Sequence, residues 1–196
     1  METTERRFTK MKLKHINKVH QGAFITRYNI DYESEYGNNK TYEMISRNPE
    51  MKTADDLLHS SIDAVVMIIH NETGEKLLLN REFRMAVNGW VYNFPAGLID
   101  KGETFSQAAI RELDEETGLK LVRIDDIWKE SYSAVGFSNE KTVVVLGTAV
   151  GSIRPSDSDM EEIEAKWFTK EEIRQLLKDE LFAARTQTYC ALWCKS

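Results

Sequence analysis

Glu112, Glu115 and Glu116 lie within five consecutive residues of a stretch with helical periodicity. On a helix Glu112 and Glu116 stand one above the other, and Glu115 adjoins the same face. Like charges at these spacings cost a helix about 0.2–0.5 kcal/mol per pair. Arg111 reaches Glu115 one turn on, and Glu103 stands just ahead of the helix. One guanidinium does not neutralise four carboxylates, whereas a hard divalent cation does. Oxygen-only ligands of this kind suit Mg²⁺ or Mn²⁺, which keep bound waters and bridge to substrate phosphates. A Glu-x-x-Glu-Glu run alone is ordinarily a solvated acidic helix face. Here it is embedded in a longer pattern of Gly97, Glu103, Arg111, Glu112, Glu115, Glu116 and Gly118, with apolar Leu113 and Leu119. At average residue usage, chance produces that pattern in such a chain with a probability on the order of 10⁻⁷.

The elements that must hold these side chains are legible around them. Asp100-Lys101-Gly102 predicts a tight polar turn, and Thr104 to Thr117 a helix. Glu103 falls near the helix N-terminus, where the dipole favours a carboxylate. Ala109, Ile110 and Leu113 give its expected buried stripe, and Gly118 its left-handed cap. Ala64 to Ile69 is a continuous apolar run, as for a strand buried on both faces. Strands are further expected at 76–79, 90–94, 127–134, 142–150 and 165–168. Helices are expected from Lys170 to about Lys178, with Thr169 and Glu172 as a capping box, and from Leu181 to Leu192. Residues 1–57 read as a separate β-rich piece: Phe24 to Tyr32 and Thr41 to Ser46 form a hairpin or a three-stranded sheet, and Asn48 to Asp56 a connecting loop. Three strands alone are marginal, so this piece should dock on the main domain, residues 58–196, or on a second subunit. Strands and helices mix without regular alternation, which predicts an α+β fold with a mixed sheet.

The segment Gly97-x5-Glu103-x7-Arg111-Glu112-Leu113-x-Glu115-Glu116-x-Gly118-Leu119 matches the Nudix box at every position. Over these 23 residues the chain resembles Nudix hydrolases, and the order of strands and helices from about residue 60 to 180 agrees with that. The resemblance implies an α/β/α sandwich around a mixed sheet. It implies water attack on a diphosphate with Mg²⁺ or Mn²⁺, the metal ligands Glu112, Glu115 and Glu116, and Arg111 and Glu103 orienting them. Arg81-Glu82-Phe83-Arg84 and Phe94-Pro95-Ala96-Gly97 are similar to the ADP-ribose and ADP-sugar pyrophosphatase branch. From that branch come the expectations that Arg84 and Arg81 approach the diphosphate and that the Ala96 carbonyl takes a metal. The N-terminal piece is expected to exchange across a homodimer, with Tyr28 or Tyr32 stacking on a base. The branch usually carries a glutamate two residues before the proline, where this chain has Asn93. Its downstream Ser-Pro-Gly-type segment is here Ser133 to Glu140, with Val135 in the proline's place and Glu140 retained as a substrate-binding candidate. The water's base is expected in the acidic loop 156–164, from Asp159, Glu161 or Glu162, with Glu161 preferred.

Composition narrows the alternatives. The chain has 196 residues, 41% hydrophobic and 30% charged, enough for a sizeable core. Its formal net charge is −6, which argues against a generic nucleic-acid binder. Two cysteines, Cys190 and Cys194, make no disulfide framework, and a reducing cytoplasm is the expected location. The longest apolar run, Ala64 to Ile69, is far short of a membrane span, and the N-terminus does not read as a signal peptide. His15, His20, His59 and His70 show no ligand spacing. The expected activity is therefore Mg²⁺- or Mn²⁺-dependent cleavage of ADP-ribose or a related nucleoside diphosphate sugar by a cytoplasmic homodimer. The alternatives are a Nudix hydrolase for nucleoside triphosphates, coenzyme A or dinucleotides, and a non-catalytic nucleotide sensor; the full set of glutamates argues against the sensor.

Overall fold

A computed structural model describes residues 10–59, 61–158 and 160–195. The chain forms two compact units. One holds the described residues up to Ser61 together with Tyr132–Lys141, and the other holds Ile62–Ser131 and the described residues from Thr142 onward.

In the first unit, β1 (Met11–Gln21), β2 (Thr26–Ser34) and β3 (Asn39–Ser46) form an antiparallel sheet in that order. Alternation along β2 turns Tyr28 and Ile30 inward, where they pack with Met44 and Met51. β1 is mostly exposed and rich in Lys and His, so its sequence gives no alternating apolar signal. Where a loop was expected, Ala54–Leu58 forms a short helix, α1. Its cause is a capping box: Thr53 accepts from the Asp56 backbone N–H while Asp56 accepts from that of Thr53. The segment 132–141 joins this unit through Ile45, whose N–H donates to the Phe137 carbonyl.

The second unit is built on a seven-stranded mixed sheet. Its order is β10 (Ile163–Thr169), β5 (Lys76–Arg84), β4 (Ala64–His70), β9 (Lys141–Val150), β8 (Lys120–Tyr132). β6 (Gly89–Asn93) pairs with β5, and β7 (Ala96–Leu98) with β4. β4 runs parallel to β9 and antiparallel to β5 and β7. Period-two geometry divides the run Ala64 to Ile69 between two cores. Val65, Met67 and Ile69 pack with Ala108, Ala109 and Leu113 of α2 (Phe105–Thr117). Val66 and Ile68 pack on the other side with Ile173 of α3 (Lys170–Asp179) and Cys190 of α4 (Ala184–Trp193). A sheet with α2 on one face and α3 and α4 on the other is the α/β/α sandwich, within an α+β fold. Among the described residues no helix is long and apolar enough to cross a membrane.

Two local readings need correction. Ile110 is 52% exposed and does not belong to the buried stripe. Ala109, Leu113 and Glu116, at i, i+4 and i+7, face inward along with Ala108 and Thr117, so a carboxylate occupies a core position of α2. β8 also begins at Lys120, seven residues earlier than expected, because its exposed charged residues hide the strand pattern.

Candidate active site

α2 is bounded as its sequence dictates. Thr104 and Gln107 form a capping box at its start, and Gly118, at φ 75°, closes it in the left-handed conformation. Register then sets the three glutamates apart. Glu115 is exposed, Glu112 is largely covered, and Glu116 is buried. Glu116 Oε2 accepts from Asn80 Nδ2 of β5 at 2.8 Å, and its carboxylate also lies against the backbone N–H of Ala96. Burial, reinforced by the neighbouring Glu82 and Glu112 carboxylates, pushes the Glu116 carboxyl well above its ordinary range. Burial raises Glu112 as well, against the pull of Arg111.

Arg111 is the hub of the helix's outer edge. Its Nη2 and Nε donate to both oxygens of Glu103 at 2.9 and 3.1 Å, a paired geometry that fixes a guanidinium plane. Its Nη1 donates to Glu112 at 2.8 Å and to Glu115 at 3.1 Å. A further bond to the Leu98 carbonyl ties the helix to β7. The Arg111 bonds hold the Glu103 carboxyl below its ordinary range. Gly97 is close enough that an added Cβ would overlap the Glu112 carboxyl group. The glycine's lack of a side chain therefore makes the space in which Glu112 sits.

The acidic loop after β9 is pinned at both ends. The N–H groups of Arg154 and Asp157 donate to the carbonyls of Thr117 and Glu115 at the end of α2, each at 3.0 Å. Arg154 Nη2 donates to the Asp114 carbonyl at 2.8 Å, and its stem passes directly over Gly118. At the other end the Glu162 carbonyl accepts from Phe83 N–H of β5 at 3.0 Å. Between these anchors Glu161 is exposed, and its charge acts on both Glu82 and Glu112. Asp159 lies outside the described residues.

The remaining expected site residues divide. Arg84 stands on the face of β5 shared by Asn80 and Glu82, 61% exposed and 3.4 Å from the Glu82 carboxylate. Arg81 has the opposite parity and projects to the other face, where it pairs with Glu164 at 3.1 Å and lies over the Trp90 ring at 4.3 Å. The structure therefore does not bring Arg81 to the glutamates. In the other unit, Tyr28 is wholly buried and its hydroxyl donates to the Asn48 carbonyl, so its ring is not offered for stacking. Tyr32 is half-buried. Glu140 pairs with Arg47 at 2.7 Å. Cys190 and Cys194 are buried, unlinked thiols, and burial pushes Cys190 up to about 12. Asn80, Glu82 and Arg154 escaped the sequence reading. Only the period of two from core residue Leu78 would have placed Asn80 and Glu82 on the α2 side of β5.

Among the described residues no three Asp, Glu, His or Cys side chains already converge as a ligand set, and Arg111 spans Glu112 and Glu115. The donors nevertheless fit a hard divalent ion. They are all oxygens, two of the helix carboxylates are wholly or largely covered, and the glycine cradle clears room at Glu112.

A family model for the NUDIX domain matches residues 61–190. An ADP-sugar pyrophosphatase of Mus musculus is 28% identical over 141 residues, covering 70% of this chain and 62% of that one. An ADP-ribose pyrophosphatase of Bacillus subtilis (strain 168) is 30% identical over 127 residues, 63% of this chain and 67% of its own. One of Saccharomyces cerevisiae is 29% identical over 110 residues, so the chain spans roughly half to two thirds of these curated relatives. A crystal structure of an ADP compounds hydrolase superposes with TM-score 0.71 over 97% of both chains at 21% identity, which shows a common fold. With the glutamate-bearing helix and the sandwich that holds it, a match spanning residues 61–190 makes this chain a member of the NUDIX domain family.

Proposed function

We propose that this chain is a metal-dependent pyrophosphohydrolase that splits ADP-ribose or a related nucleoside diphosphate sugar into a nucleoside monophosphate and a sugar phosphate. The observation that carries this reading is the placement of Glu116: a carboxylate in the buried stripe of α2, with Glu112 one turn before it and a single guanidinium to offset them. Glu112, Glu115 and Glu116, with the Ala96 carbonyl, would hold Mg²⁺ or Mn²⁺. The ion would supply positive charge against that building up on the phosphoryl oxygens.

The chain's own residues do the rest. Arg111 keeps the glutamates oriented through Glu103 and Leu98. Arg84 offers an exposed guanidinium to the diphosphate. Glu161 accepts the proton of the attacking water as the new phosphorus–oxygen bond forms and the bridging one breaks. The names of the relatives support the substrate class. We further propose a cytoplasmic homodimer, in which the N-terminal sheet and Glu140 help to hold the nucleoside.

The test is a panel of ADP-ribose, other nucleoside diphosphate sugars, NAD, coenzyme A and nucleoside triphosphates with Mg²⁺ or Mn²⁺, reading the phosphate products. AMP and ribose 5-phosphate from ADP-ribose are expected, with turnover lowered at least ~100-fold by Glu116→Gln. Binding of ADP-ribose without cleavage of any compound would instead make the protein a sensor.

A further inference from the structure

Glu82 is a carboxylate in the protein interior, 5% exposed. Leu78, Asn80, Glu82 and Arg84 share one face of β5. Leu78 packs with Leu113 of α2, and Asn80 bonds Glu116 from the same face. Glu82 continues that line, and the charges of Glu116 and Glu161 act with it. Its hydrogen-bonding is thin. Arg84 approaches at 3.4 Å from solvent, Asn93 Nδ2 of β6 donates at 3.5 Å, and the Asn80 amide, whose bond to Glu116 is the short one, also acts on it. A carboxylate buried for stability alone is normally paired with a cation buried alongside it. Here the carboxylate is inside and the guanidinium is outside.

Asn80 supplies an independent sign. It is wholly buried with its amide against both carboxylates, it donates to Glu116, and its carbonyl oxygen Oδ1 has no donor. A buried acceptor left without a partner costs about 1–3 kcal/mol. The neighbouring carboxylates, when ionised, are themselves acceptors and offer it nothing. Two buried carboxylates and an orphaned amide oxygen are a set of oxygens that a single cation satisfies together once the carboxyls have lost their protons.

We propose that Glu82 and the Asn80 carbonyl form a divalent-cation position against β5, sharing Glu116 with the glutamates of α2. The proposal rests on the metal-dependent reading above. It adds to the helix ligands a strand that no part of the 97–119 pattern contains.

The experiment is calorimetric titration of Mn²⁺ alone into the metal-free full chain, as wild type, Glu82→Gln and Glu82→Asp, with KM for ADP-ribose and thermal melts alongside. Glu82→Gln should lose one Mn²⁺ equivalent or bind at least ~10-fold more weakly. Its metal-free melting temperature should not fall, because a buried charge is removed. Glu82→Asp keeps the charge one methylene short and should fall between the two, which preserves the test if the glutamine variant folds poorly. Unchanged Mn²⁺ binding in both variants, with a raised KM, would overturn the proposal and make Glu82 a support for Arg84. Absence of Mn²⁺ uptake by the wild type would overturn the metal-dependent reading itself.

Discussion

Gly97 supplies space rather than a bend: its φ lies outside the left-handed region, and what it lacks is the atom that would collide with Glu112. Gly97→Ala should therefore leave the fold intact, with stability changed by no more than about 1 kcal/mol. The colliding group is the free end of a flexible side chain, which can swing aside. Once displaced it no longer stands with Glu116, and a shift of about 1 Å at a reacting centre costs on the order of 10²-fold. Turnover of ADP-ribose about 100-fold down with an unchanged melting curve is the expected result; undiminished turnover would free Glu112 from its assigned role. Which residues could be found in advance follows from the same geometry. Glu112, Glu115 and Glu116 are neighbours through helix periodicity, which is local and visible in the sequence. Asn80 bonds Glu116, and the Glu82 charge acts on it, only because β5 lies against α2, and nothing within either segment announces the other. Ile110 fails in the reverse way: apolar, adjacent to Ala109, yet turned about 100° from it by the helix.

Elements with their own punctuation were readable, and those shaped by context were not. Thr104 with Gln107, Thr169 with Glu172 and Gly118 bound α2 and α3 by backbone chemistry that the sequence spells out. β1 and the first half of β8 are exposed strands whose polarity conceals their pairing. The loop between β9 and β10 carries Glu161, the proposed base, and Arg154 holds it to the end of α2. A cation there also complements the helix dipole by about 0.3–1 kcal/mol. The two roles separate. Arg154→Lys retains the charge at the helix end but not the paired reach to the Asp114 carbonyl and Asp157. Arg154→Ala loses both. Both variants should lower kcat about 10-fold with little change in KM, since Glu161 is displaced while Arg84 stays in place. Only the alanine variant should also lower the melting temperature. If lysine restores kcat, Arg154 is only a helix-end charge and the loop is held by other bonds.

The buried acids make the stability of the whole molecule a function of pH and of metal. Burial raises Glu116, Glu82 and Glu112 above the ordinary value of 4.5. Above that pH the folded chain holds protons that the unfolded chain has released. The stability these groups contribute is complete below about 4.5 and is lost as pH rises through their folded values. Glu103 and Glu172, lowered by Arg111 and by the Thr169 cap respectively, act in the opposite direction and only below 4.5. His70, lowered from 6.5 by burial, opposes the trend as pH rises to 6.5. A comparison of wild type with Glu116→Gln cancels these shared contributions. Without metal the variant should gain on the wild type in melting temperature as pH rises above 4.5, because the glutamine never has to ionise in the interior. Mn²⁺ should invert the order. Its ligands must be deprotonated, so the stabilisation it gives the wild type grows with pH, while the variant, short of one ligand, gains little. Melting curves from pH 5 to 8, with and without Mn²⁺, measure both trends. Parallel metal-free lines for the two proteins would mean that Glu116 ionises in the folded chain as easily as in water, and a carboxylate so comfortable in the core would need no cation to explain it.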